Sequence, residues 1–222
     1  QTVANLTKDI PIVASAITDY EGAKLIKSNN EPGGNLTGTS DMNPIKEQID
    51  LLLKIAPNAK TIGCIYTSSE ANSEIQFKAM KEYAESKGLK VESATISNVN
   101  DIQQAAQSLV SKVDVFWEPT DNVIASAIPT LVSVTDAAKK PVICGEPNMV
   151  KNGGLATYGI DYYELGKQSG HMAADILEGK SKPANMPIQF AKVLKAMFNK
   201  TDAAKLGITL SDDLLKDADI VE

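Results

Sequence analysis

The stretch "TIGCIYTSSEANSE", Thr61 to Glu74, changes character halfway along its length. Its first part, TIGCIY, is typical of a buried strand, whereas the residues that follow are hydroxyls, an acid and an amide. Helix capping explains some of these polar groups, because Thr67-x-x-Glu70 and Ser73-x-x-Gln76 both fit the capping-box pattern. One cap is enough for one helix, so the excess indicates a further role for this turn.

Strand-like and helix-like segments alternate along the rest of the chain. The predicted strands are IPIVAS, TIGCIY, KVESATI, VDVFW, PVIC and LATYGI. The predicted helices cover residues 44–55, 73–87, 101–111, a stretch within 122–138, and 162–178. This alternation predicts βαβ units with a parallel sheet, and strands that are apolar on both faces predict that helices cover both sides of it.

The composition restricts the possible partners and chemistry. The net charge of −6 is spread without long runs, which argues against nucleic acid as a partner. All 22 basic residues are lysine, so a site that clamps phosphate or dicarboxylates through arginine is disfavoured. Cys64 and Cys144 lie in apolar runs and His171 is the single histidine, so the sequence predicts no metal site and no cofactor.

Ligands of open parallel sheets bind beyond the carboxyl ends of the strands. The polar residues that follow the predicted strands, without any lysine among them, are Thr18 and Asp19, Thr67 to Ser73, Glu118, Thr120 to Asn122, Glu146, and Asp161 to Tyr163. Several acids without a nearby base repel one another unless a cation arrives, and helix N-termini at the same edge attract an anion. These residues therefore predict a small polar or zwitterionic ligand.

Four segments carry a resemblance to a known family: YTSSEANS, EPTDN, KNGGLATYGIDYYELGKQ and PGGNLTGTSD. Together they resemble the substrate-binding lipoproteins of bacterial ABC transporters, in the group that includes tryptophan- and other aromatic-amino-acid-binding proteins. The resemblance implies a type I periplasmic-binding-protein-like α/β fold, in which parallel sheets flanked by helices form two lobes that close on a ligand. It also implies a monomeric, extracytoplasmic protein that serves a membrane permease and is lipid-anchored through an N-terminal segment absent from this chain.

The predicted ligand-binding residues combine the positions that match family motifs with two other strand-end residues, Tyr66 and Glu146. The full set is Ser15, Thr18, Asp19, Tyr66, Ser68, Glu70, Asn72, Ser73, Thr120, Asp121, Glu146, Asp161 and Tyr162. We expect Asp121 to hold the ammonium group of the ligand, because its turn contains no lysine and it matches the acid of the family's threonine-aspartate motif. For Trp117, packing in the core is favoured over stacking on a ligand.

Family members begin with a βαβ series ahead of the segment that matches QTVANLTKDIPIVAS, and this chain does not contain it. We therefore expect an N-terminally truncated first lobe made of residues 1–41 and 160–190. The complete second lobe is expected to comprise residues 42–159 and 191–222.

The leading hypothesis is the solute-binding component of an ABC importer that binds an amino acid, and two alternatives share its architecture. Carboxylates, amides and aromatic rings also bind sugars, so a sugar receptor stays open. A ligand-sensing domain of a transcriptional regulator has the same lobes, although no helix-turn-helix precedes the first strand. An enzyme is disfavoured, because the chain has no Gly-rich phosphate loop, no histidine at a predicted strand end and no Cys/His pairing.

Overall fold

The structure, a computed structural model, describes residues 1–222. The strands are Ile12–Ala14 (β1), Leu36–Ser40 (β2), Thr61–Thr67 (β3), Lys90–Ile96 (β4), Val115–Glu118 (β5), Val142–Cys144 (β6), Ala156–Ile160 (β7), Gln189–Phe190 (β8), Leu194–Asn199 (β9) and Asp219–Val221 (β10). The helices are Thr2–Leu6 (α1), Ile45–Ile55 (α2), Ala71–Ser86 (α3), Ile102–Leu109 (α4), Asn122–Ser126 (α5), Ile128–Ala137 (α6), Pro147–Lys151 (α7), Tyr162–Leu177 (α8), Lys200–Leu206 (α9) and Asp212–Leu215 (α10). Short 3-10 turns lie at Val99–Asp101 and Pro183–Asn185. No helix combines the length and the apolar character needed to span a lipid bilayer.

The chain forms two compact units. The first comprises Gln1–Met42 and Ile160–Leu194, and the second comprises Asn43–Gly159 and Lys195–Glu222. In the first unit, β1, β2 and β8 form a parallel sheet in the order β1-β2-β8, and α8 packs against β1 and β2. Its small core contains Tyr20, Leu36 and Ile188.

The second unit is built on a sheet with the strand order β10-β9-β7-β6-β5-β3-β4. The strands from β3 to β7 are parallel, as the alternation of segments predicts. Strand β9 runs antiparallel to β7, since the N–H of Asn199 donates to the carbonyl of Leu155 and the N–H of Asp161 donates to that of Val193. In the sheet, β4 lies beside β3 on one side, and β5, the next strand along the chain, lies beside β3 on the other side. The direction in which successive strands are added to the sheet therefore reverses between β3 and β5.

Helices cover both faces of this sheet. Cys64 of β3 and Trp117 of β5 lie in a cluster with side chains of α2 and α3, whereas Ile65 and Phe116 lie in a second cluster with α4 and α6. The alternation of faces along β3 and β5 confirms that these strands are buried on both sides. Strand β4 is different, because only Ile96 of this edge strand is buried.

Several elements differ from the sequence-based prediction. The single helix expected within residues 122–138 is two helices, separated at Ala127, because Pro129 has no N–H to continue a helical ladder and instead occupies the first turn of α6. Strands β2, β8, β9 and β10 were not predicted. Trp117 is fully buried and donates its indole N–H to Oε1 of Gln48 at 2.9 Å, so its predicted packing in the core is confirmed.

Candidate functional site

The polar turn after β3 lies at the point where the winding of the second unit reverses. Strands β3 and β5 are neighbours in the sheet, and a polar turn begins at the last residue of each strand, covering residues 67–73 for β3 and 118–122 for β5. Crevices at such reversal points are the usual ligand sites of open α/β sheets. Hydrogen bonds between the two turns involve four of the predicted binding residues: Glu70, Asn72, Thr120 and Asp121.

Asp121 connects these two turns. Its carboxylate accepts hydrogen bonds from the backbone N–H of Thr67 at 2.7 Å, from the hydroxyl of Thr67 at 2.8 Å and from the N–H of Ile124 at 3.0 Å. The last of these makes Asp121 the N-cap of α5. With 1% of its surface exposed and both oxygens engaged, Asp121 is committed to the protein itself.

Glu70 and Asn72 form the second connection between the turns. Oε2 of Glu70 accepts from the backbone N–H and side-chain amide of Asn122, at 3.1 and 2.8 Å, and from the amide of Asn72 at 3.2 Å. The Asn72 amide also donates to the carbonyl of Thr120 at 2.9 Å and to the hydroxyl of the buried Ser73 at 3.4 Å. Glu70 is only partly buried, and its Oε1 atom accepts no hydrogen bond within the chain.

The start of α3 has no side-chain cap. Its N-cap residue is Glu70, whose side chain turns towards Asn122, and the N–H groups of Ala71 and Asn72 have no partner within the chain. The capping-box interpretation of this turn is therefore wrong, since Thr67 donates its hydroxyl to Asp121 rather than serving α3. A helix N-terminus with free N–H groups favours an anion.

The turn after β5 also contacts helix α3 and the end of strand β6. Gln76 of α3 donates to the hydroxyl of Thr120 at 2.5 Å and accepts from its N–H at 3.2 Å, while Asn43 donates to the same Gln76 at 2.8 Å. The end of β6 also approaches closely, because a Cβ atom on Gly145 would lie 2.6 Å from the backbone N of Thr120. Glycine at this position is thus a requirement of packing.

Glu118 is a fully buried acid at the end of β5. Its carboxyl oxygens accept from the N–H of Ile65 in β3 at 3.1 and 3.4 Å. Burial raises the pKa of Glu118 well above its usual value, against the lowering effect of the Ile65 N–H, and the nearby charge of Asp121 raises it further.

The remaining predicted residues of this unit have other surroundings. Both oxygens of Glu146 accept from backbone N–H groups at the start of α7, from Asn148 at 2.7 Å and from Met149 at 2.8 Å, so it is an N-cap. Burial raises the pKa of Glu146. The Tyr66 ring stacks on Phe77 with centroids 4.7 Å apart, and Ser68 is exposed with its hydroxyl 3.3 Å from the carbonyl of Ile96.

In the first unit, three predicted residues lie around the end of β2. Asp41 accepts from the hydroxyl of Thr18 at 2.9 Å and from that of Tyr162 at 3.2 Å, and burial raises the pKa of Asp41. Ser15 accepts from Ser169 at 2.9 Å. The two remaining acids serve local structure: Asp19 accepts from Gly22 within a turn, and Asp161 caps α8.

Sequence reasoning missed four buried polar residues beside the predicted ones: Asp41, Asn43, Gln48 and Gln76. Asp41 follows a strand that was not recognised, so the strand-end argument did not reach it. Gln76 lies one turn inside α3, where a polar residue is ordinarily taken to face solvent. The sequence marks Gln76 only as the last residue of the Ser73-x-x-Gln76 capping-box pattern, which does not indicate its contact with Thr120.

A curated protein and two solved structures resemble this chain along almost its whole length. The Tyrosine-binding protein of Clostridioides difficile (strain R20291) is 44% identical over 217 residues, which make up 97% of this chain and 63% of that protein. The chain thus spans less than two thirds of this curated relative. A crystal structure of an ABC domain from Streptococcus pneumonia in complex with L-Trp superposes with a TM-score of 0.92 and 43% identity, covering 99% of this chain and 74% of that one.

A conserved domain protein from Vibrio cholerae has the same coverage, with a TM-score of 0.93 and 38% identity. These likenesses confirm the periplasmic-binding-protein-like α/β fold expected from the sequence. The family model for ABC transporter substrate binding proteins matches residues 1–222, and the chain therefore belongs to that family.

Proposed function

We propose that this chain is the extracytoplasmic solute-binding component of an ABC importer and that its ligand is an amino acid with an aromatic side chain. Family membership supports the first part of the proposal. The second part is supported by two relatives, one named for tyrosine binding and one crystallised with L-Trp, which are 44% and 43% identical to this chain.

One observation supports a zwitterion as the ligand. At the carboxyl end of β3, the free Oε1 atom of Glu70 lies beside the uncapped N-terminus of α3. The carboxylate of Glu70 suits an ammonium group, and the free N–H groups of Ala71 and Asn72 suit a carboxylate. The α-ammonium and α-carboxylate of an amino acid are attached to one carbon, so both can be held by adjacent protein groups of opposite polarity.

Glu70 replaces Asp121 as our proposed partner of the ammonium group. Asp121 has no oxygen left to offer, because Thr67 and Ile124 occupy both, whereas half the carboxylate of Glu70 is available. A buried carboxylate that exchanged its protein donors for a ligand would leave backbone N–H groups unsatisfied, at a cost of about 1–3 kcal/mol each. Glu70 avoids that cost.

In this proposal the protein acts as a monomer, is lipid-anchored outside the membrane and delivers its ligand chemically unchanged to a permease. Recovery of the ligand without modification after prolonged incubation with the protein tests the absence of turnover. Conversion of the ligand to a product would make the protein an enzyme.

Ligand identity is tested by native mass spectrometry of protein purified without denaturation, followed by calorimetry. We expect L-tryptophan or L-tyrosine to bind with a Kd of about 1 µM or tighter, which is about −8 kcal/mol. The deaminated analogue indole-3-propionate should bind much more weakly, because it brings no ammonium group to the carboxylate of Glu70. Binding of galactose but of neither amino acid would identify a sugar receptor and overturn the proposal.

A further inference from the structure

Strands β3 and β5 separate before they end. Their pairing covers only Ile62 with Val115 and Gly63 with Phe116, whereas β3 pairs with β4 along its whole length, from Thr61 to Thr67. Beyond Gly63, the backbone of β3 therefore has no ladder partner on the side of β5. Buried backbone N–H groups need an acceptor, so the parting of the two strands has to be compensated.

Two acidic side chains supply the missing acceptors. Glu118 accepts from the N–H of Ile65, and Asp121 accepts from the N–H of Thr67. Both acids are almost completely buried, with 0% and 1% exposure. The side chains thus continue the row of hydrogen bonds between β3 and β5 where the backbones have moved apart.

The backbone after β5 lies close to the end of the neighbouring strand β6. The carbonyl carbon of Pro119 and the nitrogen of Thr120 both lie 2.6 Å from the position that a Cβ atom on Gly145 would occupy, so this turn is packed tightly against the end of β6. Because the turn is anchored there, only a side chain of sufficient length reaches from β5 to the N–H groups of β3.

We propose that Glu118 is a positioning residue for the ligand site, and that together with Asp121 it sets how far β3 and β5 separate at the point where the turn of Glu70 begins. This inference rests on the proposed function. Glu118 lies in the core and does not touch the ligand; it acts by holding Ile65, and through it the following residues up to Glu70, in the geometry that binds. The property that matters is the length of its side chain.

A pair of substitutions separates length from charge. Glu118→Asp keeps the carboxyl group but shortens it by one methylene, so it no longer reaches Ile65, whereas Glu118→Gln keeps both the length and an acceptor oxygen. We expect Glu118→Asp to weaken the binding of L-tryptophan at least about tenfold, and Glu118→Gln to stay within about threefold of the original protein. Val115→Ala, at the start of the same strand, is the control for general loss of stability, because it removes buried methyl groups and leaves the carboxyl group of Glu118 in place.

Hydrogen exchange of single amides provides a readout that does not need the ligand. In the original protein and in Glu118→Gln, the amide of Ile65 should exchange as slowly as that of Phe116, which donates to Pro141. In Glu118→Asp, exchange at Ile65 should be at least about tenfold faster while Phe116 stays protected. Fast exchange at Ile65 in the original protein overturns the inference, and this measurement stands even where Glu118→Asp fails to fold.

The affinities of the variants for L-tryptophan also test whether Glu118 has a positioning role. Equal losses in Glu118→Asp and Glu118→Gln, or a loss in Val115→Ala as large as that in Glu118→Asp, overturn the positioning role. If the original protein binds no aromatic amino acid at all, the proposed function fails instead, and the exchange measurement alone then decides whether Glu118 joins the two strands.

Discussion

The carboxylate of Asp121 accepts hydrogen bonds from both the N–H and the hydroxyl of Thr67, at 2.7 and 2.8 Å. A third bond from Ile124 caps α5. Strand β3 and helix α5 are therefore joined by one side chain within the protein. This arrangement makes Asp121 a structural residue of the site, and the assignment of the ammonium group to Asp121 from the sequence remains without support.

The substitution Asp121→Ala should lower the free energy of unfolding by about 2–4 kcal/mol, because it removes a helix cap and leaves the N–H and hydroxyl of Thr67 without an acceptor. Asp121→Asn should cost less, since one oxygen is kept. Urea denaturation followed by circular dichroism measures both changes.

The same variants distinguish a structural role from a direct contact with the ligand. Under a structural role, the affinities for L-tryptophan and for indole-3-propionate fall by the same factor in Asp121→Asn. A loss confined to L-tryptophan would restore Asp121 as the partner of the ammonium group.

The sequence predicted where the polar turns lie, because the end of an apolar run can be read directly. The sequence did not predict which hydrogen-bond donors each acidic side chain contacts. Asp121 and Glu70 both follow strands without a nearby lysine, and each accepts three hydrogen bonds. Those of Asp121 engage both oxygens, whereas those of Glu70 all meet Oε2 and leave Oε1 free. That difference depends on Thr67 and Asn122, which lie about fifty residues away along the chain from their partners.

Strand β2 shows a second limit of the sequence. Its residues, LTGTS, lack the apolar character that marks a strand, but all of them are buried. Their hydroxyls are satisfied inside the unit, with Thr37 donating to the carbonyl of Met186 and Ser40 to that of Thr18. A buried strand made of small polar residues is stable only with such partners, and these are known only once the fold is known.

Glu70→Gln should weaken the binding of L-tryptophan about tenfold or more while indole-3-propionate is little affected, because only the amino acid brings an ammonium group to the carboxylate. Glu74→Gln, one turn further along α3, is the matched control, since Glu74 is exposed and paired with Lys78 at 2.7 Å. Calorimetry with both ligands tests the prediction, and equal affinities of the two variants for L-tryptophan would contradict it.

Gly145→Ala should both destabilise the protein and weaken ligand binding. The new methyl group would lie 2.6 Å from backbone atoms of Pro119 and Thr120, which must move. The carbonyl of Thr120 accepts from Asn72 in the turn after β3, where we propose that the ligand binds. We expect a loss of about 1–3 kcal/mol in the free energy of unfolding.

Gly166→Ala is the control for this prediction, because nothing lies within 4 Å of the added methyl group and alanine favours the helix α8 that contains it. Thermal denaturation should show a lower Tm for Gly145→Ala and an unchanged or higher Tm for Gly166→Ala. Unchanged Tm and affinity in Gly145→Ala would mean that the turn after β5 adapts freely.

Asp202 and Asp136 bring two carboxyl groups together between α9 and α6. Asp202 is buried, with 2% exposure, and its Oδ1 atom accepts no hydrogen bond from an N–H or from a hydroxyl. Burial and then the neighbouring Asp136 raise the pKa of Asp202 to about 7, while Lys205, which pairs with Asp136 at 3.7 Å, lowers it. Asp202 is thus protonated in the folded protein over a pH range in which it is ionised in the unfolded chain.

Asp202→Asn should therefore stabilise the protein, and the gain should increase with pH. An acid whose pKa is higher in the folded state favours folding most at low pH. For Asp202 this contribution is lost as the pH rises from near 4, the pKa in the unfolded chain, to about 7, the pKa in the folded protein. We expect the variant to gain on the order of 2 kcal/mol relative to the original protein between pH 4 and pH 8, measured by urea denaturation across that range. Asp114→Asn is the control of opposite sign, because the N–H of Lys60 holds the pKa of Asp114 below its usual value. This variant should be less stable than the original protein at neutral pH, and the difference in stability should shrink as the pH falls. A difference between Asp202→Asn and the original protein that does not change with pH would show that the pKa of Asp202 is not raised in the folded protein.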